Sequence, residues 1–300
     1  THESHTSPVP RQRGKLLFML MALLLLSAAL IVLGLGVGSN GWESLLSMWQ
    51  QSLSMQIVWD IRLPRTLGAW AAGALLGLSG AVAQGLFRNP LADPYLLGSA
   101  SGASLGVATA LVALAVFLTL LLARGVQHTL RLLLAGVIVG VVLGALGSLV
   151  TMMRPDIVQS MQAFMLGSTG YVGWSSCGLM LLVCLICLVI SLALSQVLDG
   201  LSLGEATATS LGLPLPQMRM ALVFIIALSA GTAVAQTGLI VFVGLAAPHL
   251  VRSMLKTTHA GLIALSSLAG GVLLSAADIL SRWMIAPQEL PVGVVTAILG

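Results

Sequence analysis

The sequence predicts an all-α, polytopic membrane protein. Three observations carry that reading. The chain is 58% hydrophobic and 7% charged, where a soluble domain carries about 25% charged residues. Long apolar runs recur at 16–37, 64–87, 93–113, 117–123, 131–152, 177–198, 217–235, 239–251, 260–280 and 291–300. Glycines and prolines sit inside several of these runs, as packed transmembrane helices allow.

A spanning helix needs about 20 apolar residues, so the runs describe about ten helices, of which 117–123, 239–251 and 291–300 are short. Residues 1–15 read as a cytoplasmic N-terminal tail and 16–300 as a single transmembrane domain. Arg11, Arg13 and Lys15 precede the first run, as in a signal peptide. The run is longer than the usual core of about 7–15 residues and lacks a clear small-x-small cleavage site, so a retained helix is expected. With the N-terminus inside, Arg11, Arg13, Lys15, Arg88, Arg124, Arg131, Arg219, Arg252 and Lys256 fall inside. Arg62, Arg65, Arg154 and Arg282 fall outside. That excess fits the positive-inside rule. The net charge of +4 is scattered singly over span ends and gives no nucleic-acid patch.

The second run follows Arg62 and Arg65 and ends at Arg88-Asn89-Pro90-Leu91-Ala92-Asp93-Pro94. Two prolines and an Asn in seven residues are strong turn chemistry. Gly73/Gly77, Gly98/Gly102/Gly106 and Gly136/Gly140/Gly144 each place glycines on one helix face, the spacing that lets helices approach closely in lipid. Cys177, Cys184 and Cys187 fall in one apolar run and read as small packing residues. The segment 198–213 is a polar stretch of small residues around Glu205, bounded by Gly200, Gly204, Gly212 and Pro214.

Leu63-Pro64 and Ala81-Val82-Ala83-Gln84 recur as Leu215-Pro216 and Ala233-Val234-Ala235-Gln236, each at an offset of 152 residues. With about ten spans, the copies lie an odd number of spans apart and are inverted across the membrane. Inverted repeats mark transporters and point to the pathway at their interface. Gly80, Gln84, Asn89, Gly136, Gly140 and Gln236 are the candidate pathway and packing residues.

Several chemistries find no support. There is no G-x-x-x-x-G-K-[ST] loop to cradle ATP phosphates. Gly34-x-Gly36-x-Gly38 lies at a span end with no preceding strand. The five histidines sit in the tail or at span ends. Acidic residues also sit at ends or in loops, Asp278 excepted. A proton-coupled carrier would place carboxylates along its spans.

RLPR (62–65), the run 80–84, RNPLADP (88–94), LLGSASGASLG (96–106), the loop 198–213, GLIVFVGLAAPHLVR (238–252), and DILSR with ELPVGVVTAILG (278–282, 289–300) carry a family resemblance. Together they resemble the permease subunits of binding-protein-dependent ABC importers, in the subgroup for iron-siderophore, haem and cobalamin uptake. The resemblance implies a homodimeric permease in the bacterial inner membrane. It implies two cytoplasmic ATP-binding subunits and a periplasmic substrate-binding protein as partners, with no cofactor or metal held by this chain. Leu201, Leu203, Gly204, Glu205, Ala206, Thr207, Ala208 and Leu211 then correspond to the coupling helix that docks on the ATPase. Arg62, Arg65 and Arg282 correspond to the arginines that receive carboxylates of the binding protein. Haem is the substrate expected first, with cobalamin and ferric siderophores as alternatives. Against the family pattern, the stretch from Gly106 to His128 is short, and the chain stops at Gly300 before a final helix. Residues are expected to be missing near Val116/Phe117 and past Gly300.

Overall fold

The computed structural model describes residues 9–38, 41–42, 52–94, 164–204 and 215–299, with a few single positions between 138 and 162. The expected spans 93–113, 117–123 and 131–152, the residues Glu205 to Leu211, and Gly136 and Gly140 lie outside the described residues, apart from isolated positions.

Nine helices are described: α1 Val9–Gly36, α2 Ser52–Ile57, α3 Leu63–Leu86, α4 Trp174–Ala193, α5 Ser195–Ser202, α6 Leu215–Thr237, α7 Val243–Met254, α8 His259–Trp283 and α9 Val292–Leu299. A two-residue antiparallel ladder, Val37–Gly38 with Gly41–Trp42, follows α1. Among the described residues, five helical stretches are long and apolar enough to cross a membrane; α1, α3, α4, α6 and α8 supply them. Helix α1 starts at Val9, so part of the expected tail is helical.

Helix α3 is the centre. It continues from a π-helical turn at Val58–Arg62, and Pro64, which has no N–H to give to the turn before it, stands just past that junction. From Gly68 to Gly85 it is buried on nearly every side, so it belongs inside the bundle. It packs against α8, α6, α7, α4 and α1. Glycine sets its distance from α8: a Cβ added to Gly73 would sit 2.8 Å from the Gly270 carbonyl carbon and 2.7 Å from Leu274 Cβ. At Gly80 the added atom would sit 2.6 Å from the carbonyl carbon of Gly244. Pro248, inside α7, has no N–H to give to that carbonyl in the usual helical pattern. Gly80 packs directly on the peptide that Pro248 leaves free.

The two repeat copies fall on α3 and α6. Both helices begin at the Leu-Pro pair and end within a few residues of Ala-Val-Ala-Gln. The copies differ in environment, since α6 is far more exposed than α3.

Two expected spans change. The run 177–198 breaks at Leu194: α4 ends at Ala193, and the Ser195 hydroxyl donates to the Leu192 carbonyl at 2.7 Å as α5 begins. The run 239–251 is not a spanning helix. Gly238 (φ +72°) and Phe242 (φ +77°) bracket a non-helical strand of chain, and α7 begins only at Val243. Within that stretch Ile240 is fully buried while Val241 is exposed; at membrane depth such backbone is tolerated only where protein or water covers it. At 12 residues α7 is about 18 Å long.

Candidate functional sites at the two ends of the bundle

Helices α3 and α8 run antiparallel, so the start of α3 meets the end of α8. At that end Asp278 is fully buried. Its Oδ1 accepts from Arg65 Nε at 3.3 Å and from the Thr169 hydroxyl, and its Oδ2 accepts from Arg282 Nη2 at 2.7 Å. Arg282, also buried, donates from Nη1 to the carbonyls of Gly34 and Val37, each at 3.0 Å. Arg65 turns its other face to Glu289, with Nη1 at 3.0 Å from Oε1 and Nη2 at 2.9 Å from Oε2. Arg62 donates to the Leu35 carbonyl at 3.1 Å. Buried charges persist where they are paired and hydrogen-bonded. Arg65, Arg282 and Asp278 meet that condition here, with Glu289 at the exposed edge, and they join α1, α3, α8 and the loops on either side.

This placement corrects one expectation. Arg282 is 2% exposed and bonded to Asp278 and two carbonyls, so it presents no charge for a partner to meet. Arg65 keeps an 11% exposed side chain beside the partly exposed Glu289. Asp278, Thr169 and Glu289 escaped the sequence reading as partners. The signal for one of them was present: Asp278 and Arg282 are four apart on an apolar helix, on one face.

At the other end, Gln84 of α3 is buried. Its Nε2 donates to the Leu245 carbonyl at 3.4 Å, and its Oε1 accepts from Arg252 of α7. Gly85 packs near His259, the first residue of α8, whose Nδ1 lies 2.6 Å from Asp199 Oδ1 on α5. Arg88 (φ +51°) follows α3, and Asn89 is an exposed turn residue whose Oδ1 accepts from the Leu91 N–H at 2.9 Å. Asn89 therefore shapes the RNPLADP turn. Gly80 is a packing residue, and Gln236 is half-buried near the far end of α6.

Of the expected coupling residues, Leu203 is exposed, and Gly204 (φ +110°) takes a backbone conformation that favours glycine. Leu201 is corrected: it is 1% exposed and part of the hydrophobic core, so it anchors α5 rather than meeting a partner. The three cysteines are buried on the inner face of α4.

The model of the FecCD transport family matches residues 19–114 and 107–300. The chain belongs to the FecCD transport family. It is 39% identical over 272 residues to the vitamin B12 import system permease protein BtuC of Salmonella typhi, covering 84% of this chain and 83% of the relative. The same protein of Salmonella newport (strain SL254) gives the same identity and coverage. Among solved structures, one described as a metal-chelate type ABC transporter in an inward-facing conformation aligns with a TM-score of 0.73. It is 29% identical and covers 94% of this chain and 95% of its own. As a FecCD-family chain, this is a polytopic helical permease subunit of the ABC importer type.

Proposed function

We propose that two copies of this chain form the membrane path of an importer for a corrinoid, a metal chelate of the cobalamin class. The likeness to vitamin B12 import permeases carries this reading, and it moves the expected substrate from haem to cobalamin. In this reading, ATP is hydrolysed by two separate subunits on the cytoplasmic side, and a periplasmic binding protein delivers the substrate.

The end of the bundle bearing Gln84, Arg88, Arg252 and Lys256 is taken as cytoplasmic, because the basic residues of the described helices gather there. Residues 203–211 then meet the ATPase, with Glu205, Ala206, Thr207, Ala208 and Leu211 as the contact surface and buried Leu201 as its root. The opposite end receives the binding protein. Arg65, with Arg62 beside it, is the receiving charge, and Arg282 and Asp278 hold Arg65 in place. A docking carboxylate reaches Arg65 by replacing Glu289. The family match falls in two overlapping parts, which supports the expectation of a shortened stretch between Gly106 and His128.

The test uses proteoliposomes holding the permease, its ATPase and its binding protein. Cobalamin is expected to stimulate ATP hydrolysis and to accumulate inside. Stimulation by haem or a ferric siderophore, with none by cobalamin, refutes the substrate class.

A further inference from the structure

The turn between α7 and α8 forms a half-open cavity of about 340 Å³ that the transport reading leaves unused. Arg252, Lys256 and His259 line it, with Thr257 and a floor of Leu255 and Leu262. Lys256 is exposed, Arg252 is half-buried, and the two leucines belong to the core. Among the described residues, Arg252 bonds to the neutral amide oxygen of Gln84, and no carboxylate pairs with Arg252 or Lys256. Asp199, the acid beside the cavity, is occupied by His259, through the backbone N–H at 3.1 Å and Nδ1 at 2.6 Å. Among the described residues, the cavity therefore carries excess positive charge over an apolar floor.

Helix α1 borders this site. Leu16 lies against the Gly261 position and packs into the same cluster as Leu255 and Leu262. Beyond it, α1 exposes Leu17, Phe18, Met21 and Leu25, the surface of a helix that faces acyl chains. Arg13 and Lys15, both exposed, stand at its start. A ligand that fits has an anionic head at the level of the cations and hydrocarbon beside the leucines. Basic pockets between transmembrane helices at the membrane surface hold lipid head groups on this logic.

We propose that this cavity binds the phosphate head group of an anionic phospholipid, with its acyl chains lying along α1. The site joins α1, α7 and α8, so the bound lipid fastens the lipid-facing helix to the bundle.

The test titrates the full chain, purified in a neutral detergent, with phosphatidylglycerol or phosphatidylcholine. Native mass spectrometry counts the retained lipid, and thermal melting reads its effect. Phosphatidylglycerol is expected to be retained selectively and to raise the melting temperature. Lys256→Gln weakens that retention about fivefold, and Arg252→Gln with Lys256→Gln weakens it by about that factor again. Lys256 is exposed, so its variant decides the matter even if replacing Arg252 disturbs packing. Inorganic phosphate at matched concentration is expected to do nothing. Equal retention of the two lipids, full replacement by inorganic phosphate, or unchanged retention in Lys256→Gln overturns the site. Loss of ATPase co-purification in the variants, with lipid retention intact, assigns the cations to a protein partner and also overturns it.

Discussion

Adding one methyl at Gly73 should loosen the centre of the bundle. An alanine there places Cβ 2.8 Å from the Gly270 carbonyl carbon and 2.7 Å from Leu274 Cβ, where ordinary contacts begin at 3.4 Å. Both neighbours are held close to the helix backbone, so the two helices must part by roughly 0.6 Å or more, as rigid, close-packed interiors require. Overpacking of this kind costs about 1–3 kcal/mol, and the rigid neighbours put the cost near 3. Better helix propensity returns about 1 kcal/mol. The net loss is about 2 kcal/mol, or about 5 °C in melting temperature. The control is Gly231→Ala in α6, where an added Cβ meets nothing within 4 Å, and where melting should be unchanged or slightly raised. The protein supplies its own probe: its three cysteines are free and buried on α4, so a thiol-reactive dye reports unfolding. If Gly73→Ala melts with the wild type, or Gly231→Ala falls as far, the packing argument is wrong.

Asp278→Asn removes the buried carboxylate from the cluster and should cost about 3–5 kcal/mol, seen as a lower melting temperature and poor yield. A second change, Arg282→Gln, should recover part of that loss, and strict additivity would mean that the two groups do not interact. Glu289→Gln frees one face of Arg65 and should tighten docking of the binding protein by up to about fivefold at low salt, because partly exposed pairs contribute about 1 kcal/mol or less. Arg65→Glu should weaken docking. Affinities measured at two ionic strengths check both, and no change in either variant would remove Arg65 from the docking surface. Replacing 203–211 with a Gly-Ser linker should abolish uptake while leaving membrane insertion intact; surviving uptake would refute the coupling role.

The long helices were legible because hydrophobic runs mark them and prolines bound them. The runs 64–87, 217–235 and 260–280 became α3, α6 and α8 with ends shifted by a few residues. The break at Leu194 was not legible. The apolar run resumes after the short polar pair Ser195-Gln196, and the chain turns on a local Ser195 bond to a carbonyl. The late start of α7 depends on Phe242 at positive φ, a conformation that sequence rarely announces for an aromatic residue. In the ionic cluster, the charges themselves were visible but their depth was not. Arg282 sits where a run ends, which reads as a rim. Its burial depends on carbonyls of α1 and the ladder, about 245 positions away in sequence.

The interlocked backbones of α3 and α8 also limit how the molecule can move. Residues four apart share the face that Gly73 presents, so slipping α3 along α8 by about one turn, about 5.4 Å, would carry Ala69 toward the place that Gly73 now occupies against Gly270. A shearing motion in that direction is therefore opposed by a Cβ, while rotation of the two helices as one body keeps the close contact. The two helices turn together as a lever. One arm ends at Arg65 and Asp278, the other at Gln84 and His259. Packing this close favours passing a tilt imposed at one end on to the other.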